Sequence, residues 1–222
     1  MITGRLCAYY PVFEDLEALS KTIPKIIEFG ITDLFFCDGP FMGFAQHNKK
    51  SQDGTRELCK QHGTLLDAGI CFEEDKLNMS FEHIANKGFK YILLLGADEW
   101  PEGDIKLFLK NLGARFDNDD RPHIPLVRVQ EHSPDSKWNR VIDNSPKIFV
   151  NPSRIRAKHA HWLYYLDGAQ IPFHDHEPLI DGIIIHHDDS LRSEKRNKMM
   201  SEFQDWNVPR EQKLADKAQE AK

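Results

Sequence analysis

The sequence predicts an α/β domain in which a mainly parallel sheet is flanked by helices, and three observations predict it. In the first half, short apolar runs alternate with longer amphipathic ones, the pattern of strands joined by crossover helices. Two of these runs end in acids, TDLFFCDGP at Asp38 and LLLGADEWP at Asp98 and Glu99, at the carboxyl edge where an open parallel sheet gathers its ligands. No low-complexity linker divides the 222 residues, so one continuous core is expected, with a first half of about residues 1–103, a second of about 104–210 and a charged tail over 211–222.

The expected strands of the first half are Arg5 to Tyr10, Asp33 to Cys37, Thr64 to Asp67 and Tyr91 to Leu95. Between them, Glu14 to Phe29 has helical spacing interrupted at Pro24, Asp53 to Gln61 opens on a capping acid, and Glu74 to Lys87 forms a third helical stretch. A helix from Asp104 to Phe116 puts Ile105, Phe108, Leu109 and Leu112 on one face. The second half changes character. Ile124 to Val129, Lys147 to Val150, Ile155 to Tyr164 and Gly182 to His186 read as strands without long helices between them, and a basic amphipathic helix from Leu191 to Trp206 follows.

Composition excludes some functions. The balance of 29 Lys+Arg against 35 Asp+Glu gives a formal charge of −6, so a broad nucleic-acid footprint is not expected; Arg128, Arg140, Arg154, Arg156 and Lys158 read as a solvated face. Four dispersed cysteines without a CxxC pair read as reduced thiols of a cytoplasmic protein. The opening MITGRLCAYYPVF is too short in apolar residues for a signal peptide or a spanning helix, which leaves peripheral contact as the one membrane role open to the chain.

The chemistry is expected at the sheet edge. Gly96 and Ala97 leave room for a bulky ligand beside the backbone, and carboxylates after them offer hard oxygen ligands for Mg²⁺ or Mn²⁺. Read alone, Asp98 and Glu99 also suit a loop leading to the next helix, and Asp38-Gly39-Pro40 is ordinary turn chemistry.

The order of these pieces resembles the family 2 glycosyltransferases. The matching stretches are the opening strand ending near Tyr9 and Tyr10, the strand ending in Asp38, SQDGTRELCKQHG at 51–63, KGFKYILLLGADEWP at 87–101 and, later, IIIHHDDSLRSEKRNKMM. The resemblance implies the GT-A fold, a Rossmann-related mixed sheet flanked by helices. It also implies transfer of a sugar from a nucleoside diphosphate sugar donor to a saccharide or other hydroxyl acceptor, assisted by Mn²⁺ or Mg²⁺. Carried over residue by residue, Asp38 contacts the nucleobase or ribose, with Tyr9 and Tyr10 lining the same pocket and Ala97 beside the donor. Asp98 matches the second acid of the D-x-D motif that holds the metal, Glu99 is an auxiliary ligand, and His187 or His186 supplies a further metal contact. Arg192 and Arg196, four apart on one helical face, steady the diphosphate.

Two departures accompany the match. Gly96 stands where the family's first D-x-D acid falls, and GPFMGFAQHNKK is inserted between Asp38 and Asp53 as a flap or an acceptor wall. The catalytic base is sought among Asp167, Asp175, Glu177 and Glu131, with Asp167 and Glu177 favoured because Trp162, Tyr164 and Phe173 offer faces for a sugar. Two rival readings stand beside transfer. The pairs His159/His161, His174/His176 and His186/His187 raise a metal-dependent hydrolase, and Gly96 raises a sugar-nucleotide or glycan-binding module without turnover.

Overall fold

The computed structural model describes residues 5–44, 48–132, 141–158, 163–166, 169–170 and 178–201. Along the chain these form β1 (Arg5–Val12), α1 (Leu16–Phe29), β2 (Leu34–Asp38), α2 (Thr55–His62), β3 (Thr64–Asp67), α3 (Glu73–Asn86), β4 (Phe89–Leu94), β5 (Glu99–Gly103) and α4 (Ile105–Phe116). There follow β6 (Leu126–His132), β7 (Val141–Ser145), β8 (Ile148–Val150), β9 (Ile155–Lys158), β10 (Leu163–Leu166), β11 (Ala169–Gln170) and β12 (Leu179–Asp188). Residues 194–201 are the described part of a last helix, α5.

A five-stranded sheet runs in the order β3-β2-β1-β4-β8, parallel except for β8. A second, mixed sheet runs β5-β12-β6-β7, and β9, β10 and β11 form an antiparallel ribbon. The chain builds outward from β1 through β2 to β3, then crosses back to lay β4 on the other side of β1. The crevice between the carboxyl ends of β1 and β4 is therefore the switch point of the sheet, where ligands of open α/β folds bind.

Strand alternation explains the core. Ala8, Tyr10 and Val12 face one apolar cluster with Leu19, Ile23 and Ile26 of α1, Phe108 of α4 and Ile183 and Ile185 of β12. Cys7 and Tyr9 face the other, with Phe81 and Ile84 of α3 and Ile155 of β9. Both faces of the sheet are covered, as a parallel sheet requires. Gly182 lets α4 approach β12 closely: a Cβ there would lie 2.6 Å from the Phe108 nitrogen.

The structure departs from the expected elements in ways that have local causes, and strands β7 and β11 were not expected at all. Helix α1 runs through Pro24 without a break, because burial of Leu19, Thr22, Ile23 and Ile26 outweighs one missing hydrogen bond. The single strand expected over Ile155 to Tyr164 is two strands, β9 and β10, paired antiparallel with Lys158 opposite Leu163. The run Glu99–Gly103 is strand β5 despite Pro101; it lies at the edge of its sheet, where a proline costs no ladder bond. Strand β1 continues to Val12, two residues beyond its expected end.

Phe81 has no exposed surface, and its ring lies 4.7 Å from that of Phe149. Replacing it with alanine leaves a cavity under α3, so Phe81→Ala is expected to lower the unfolding free energy in urea by about 3–5 kcal/mol.

Candidate functional site

The turn after β4 is shaped by Glu99. Its Oε2 accepts from the Gly96 N–H at 2.6 Å, and Lys147 Nζ donates to both carboxylate oxygens at 2.7 Å. Burial favours the neutral acid, but Lys147 and the His187 charge outweigh it and hold the Glu99 pKa below the usual carboxylate range. Gly96 is small for a steric reason: a Cβ there would lie 2.9 Å from Asp98 Oδ1 and 3.5 Å from the Glu99 carboxyl carbon. Ala97 is buried in the core, and its carbonyl accepts from Thr22 Oγ1 at 2.8 Å.

Asp98, two residues on, is fully buried. Its Oδ1 accepts from Arg192 Nη2 at 2.8 Å, and its Oδ2 lies 3.2 Å from His187 Nε2 without an aligned donor among the described residues. His187 Nε2 is also 3.3 Å from Asp189 Oδ1, and its Nδ1 is 3.4 Å from Glu131 Oε1. One ligand atom from each of Asp98, His187 and Asp189 lies within 4.8 Å of the others, so these three can hold a cation. Burial disfavours the His187 imidazolium, yet the Asp189 and Asp98 carboxylates beside its Nε2, with the Glu99 charge, hold its pKa up at about 11.

The segment after β12 closes this edge with basic residues. Arg192 Nη1 donates to Asp189 Oδ1 at 3.1 Å, Arg196 Nε donates to Asp15 Oδ1 at 2.7 Å, and Lys195 pairs with Glu14. Arg192 Nε and Arg196 Nη1 are buried and without a hydrogen-bond partner among the described residues. Between this segment and the β1–α1 turn lies a cavity of about 290 Å³, lined by Glu14, Asp15, Asp53, Arg192, Lys195 and Arg196.

On the far side of the turn, Asp38 is fully buried and committed to a loop. It accepts from Ser51 Oγ at 2.6 Å, from the Ser51 N–H at 3.1 Å and from Arg56 Nη1 at 2.6 Å. Ser51 Oγ in turn accepts from the Glu14 N–H at 2.7 Å, holding Glu14 at a positive φ of 51°. That φ is costly for a side chain with a Cβ and persists because the surrounding bonds fix it. Asp53, one residue before the Gly54 N-cap, accepts from the Thr55 N–H at 3.0 Å and also from the Leu16 N–H at 3.1 Å, so one acid serves the starts of two helices.

The expected site residues thus fall into groups. Asp98 and His187 meet, with Arg192 and Arg196 beside them. Arg192 precedes α5 rather than sharing a helical face with Arg196, and tertiary ion pairs bring the two together. Tyr9 and Tyr10 were expected in a pocket wall; both rings have no exposure and sit on opposite faces of the sheet, Tyr10 stacked on Phe36 at 5.5 Å and Tyr9 edge-on to Phe81 at 6.2 Å. Glu99 stands outside the Asp98–His187–Asp189 cluster because Lys147 and Gly96 already occupy its oxygens. His186 points to the other face of β12 from His187 and stacks with Trp100 at 5.3 Å.

Asp167, Asp175 and Glu177 lie outside the described residues, as do Trp162, Phe173, His159, His161, His174 and His176, and the side chain of Tyr164. Of the acids considered as base, Glu131 reaches the cluster, through His187. Asp189, Lys147 and Asp15 were not anticipated. The signal for Asp189 was present in HHDD, where a carboxylate follows His187 at the end of a strand.

No protein-family model and no curated protein matches the chain. Among solved structures, it is similar to residues 1–349 of TarS from S. aureus, also solved in complex with UDP, with a TM-score of 0.42 and 10% identity over 67% of this chain and 47% of that one. It is similar too to GalNAc-T7 solved with UDP, GalNAc and Mn²⁺, with a TM-score of 0.49 and 8% identity over 86% of this chain and 44% of that one. The chain spans less than half the length of either.

Two stability outcomes follow from the geometry. Lys147→Met leaves Glu99 buried without its counter-charge and is expected to cost roughly 3 kcal/mol in urea unfolding, part of which Glu99→Gln recovers in the same chain. Arg56 hydrogen-bonds to Asp67 and, with Lys50, holds the Asp67 pKa down at about 2. Its folded value lies below the unfolded one, so the stabilisation is complete above about pH 4 and is lost as the pH falls towards 2. Asp67→Asn is therefore expected to lower the urea midpoint at about pH 6 and to approach the parent as the pH falls through about 2.

Proposed function

We propose that the switch-point cleft binds the diphosphate of a nucleoside diphosphate sugar and that the chain is a GT-A-like glycosyltransferase passing the sugar to a hydroxyl acceptor. One observation carries this reading: among the described residues three linked side chains each keep a buried polar atom without an aligned hydrogen-bond partner, Asp98 Oδ2 on the carboxylate that Arg192 holds, and Arg192 Nε and Arg196 Nη1 on two residues that line one cavity. Such atoms are costly unless a ligand completes them. An oxygen acceptor of negative charge suits the two arginines, and a cation suits the carboxylate. A metal-bound diphosphate supplies both.

Asp98, His187 and Asp189 would hold the ion, Mn²⁺ or Mg²⁺, with His187 losing its Nε2 proton to solvent as the ion binds, and their mixed oxygen and nitrogen donors favour Mn²⁺. Bound there, the ion would act as a Lewis acid on the leaving diphosphate. Glu131 beside His187 Nδ1 would orient the ring so that Nε2 faces the ion, as carboxylates behind metal-binding histidines do. Asp189 takes the part of the acid missing at Gly96. Arg192 and Arg196 would donate to phosphate oxygens where negative charge accumulates as the sugar departs. Asp38 contributes at one remove, by fixing the 51–56 loop and the Glu14 turn at the rim.

Proton removal from the acceptor hydroxyl is assigned to a carboxylate of the second half, Asp167 or Glu177. Four free cysteines, three of them buried, fit a reducing, cytoplasmic setting, and among the described residues no helix is long and apolar enough to cross a membrane. The donor is identified by a thermal-shift screen of UDP- and GDP-sugars with and without Mn²⁺, because a ligand specific for the folded state raises the midpoint. Asp98→Asn is expected to abolish the Mn²⁺-dependent shift and sugar transfer while keeping the parent's circular dichroism. Unchanged Mn²⁺-dependent binding in a folded Asp98→Asn protein would refute the assignment.

A further inference from the structure

Arg192 touches two of the three groups that could hold the ion. Its Nη2 is 2.8 Å from Asp98 Oδ1 and its Nη1 is 3.1 Å from Asp189 Oδ1, so one guanidinium bridges both carboxylates of the cluster. A divalent cation among Asp98, His187 and Asp189 must draw on those same two carboxylates, and the fixed positive charge of Arg192 would then stand beside it. The side chain is 16% exposed, so water screens that repulsion poorly. A third nitrogen, Nε, has no partner among the described residues, and it belongs to the planar fork that suits phosphate.

We infer that Arg192 is an exchange residue: it bridges Asp98 Oδ1 and Asp189 Oδ1, yields Asp189 Oδ1 to a cation that also takes the free Asp98 Oδ2, and turns its guanidinium to the diphosphate that arrives with that cation. The inference rests on the reading of the cleft given above, and it adds a mutual dependence. The cation alone meets a guanidinium holding its ligands. The diphosphate alone meets the carboxylates of Asp98, Asp189 and Glu131. Together they allow each charge to find its opposite.

The neighbouring basic residues keep their places in this exchange. Arg196 is held by Asp15 and Lys195 by Glu14, both acids of the β1–α1 turn and neither part of the cation cluster. Those two pairs anchor the start of α5, so Arg192, just before the helix, can swing without undocking it. Arg192 is thus assigned a positioning role towards the cation and a binding role towards the diphosphate.

The two roles give opposite signs on mutation, which a merely structural residue would not. Mn²⁺ binding to the full chain is measured by electron paramagnetic resonance of the free ion, alone and with UDP or GDP, for the parent, Arg192→Ala and Arg192→Gln. In the parent, the nucleotide is expected to tighten Mn²⁺ binding by roughly tenfold or more. In both variants, Mn²⁺ alone is expected to bind more tightly than to the parent, and the gain from nucleotide to shrink to about twofold. Arg192→Gln preserves the length of the side chain and serves if Arg192→Ala fails to fold. If the parent binds Mn²⁺ with nucleotide but neither folded variant binds Mn²⁺ alone more tightly, the exchange is wrong and the reading of the cleft survives. If no protein binds Mn²⁺ under any condition, the cleft reading fails and the exchange fails with it.

Discussion

Glu99 lies buried at the seam of two sheets, and the position of the site follows from how its charge is satisfied. A carboxylate remains ionised in a core only with donors at hand. Lys147 provides them from the entry to β8 of the five-stranded sheet, while Glu99 itself opens β5 of the four-stranded one. The same ion pair therefore ties the sheets together. Because the chain after β4 must turn back for Glu99 to reach the Gly96 N–H, Asp98 is left against the end of β12, where the Asp188 N–H donates to its carbonyl at 3.2 Å.

Once Asp98 is placed, the basic segment after β12 has a reason to fold across the sheet edge. Arg192 answers Asp98 and Asp189, Lys195 answers Glu14, and Arg196 answers Asp15. Most of these groups are shielded from water, so breaking one partner of a pair matters far more than it would on the surface. The result is an edge rich in both charge signs, with Arg192 and Arg196 each retaining a buried donor to spare. That arrangement suits a ligand that itself carries both signs, as a cation bound to a diphosphate does.

Much of the fold was legible in the chain. Apolar runs of strand length separated by amphipathic stretches placed β1 to β4 and α1 to α4, since burial on both faces of a parallel sheet leaves that pattern. Asp104, the first residue of the expected fourth helix, caps it, accepting from the Lys106 and Leu107 N–H groups. The errors have local causes. Ending β1 at Tyr10 put two tyrosines at the sheet edge, whereas the strand continues to Val12 and leaves both in mid-strand, inside the core. The edge strand β5 was hidden by Pro101, which is tolerated where no neighbour needs its N–H.

The site divides the same way. The sequence by itself determined that acids follow β2 and β4, that a histidine and two arginines come late in the chain, and that the spacer at 96–97 is small. It could not determine which acid is left open to a ligand and which is spent on structure, because Asp98 and Glu99 are adjacent and chemically alike. Lys147, 48 residues from Glu99, and Arg192, 94 residues from Asp98, make that decision. Partners so distant are chosen by sheet order and strand register, which exist only once the chain has folded.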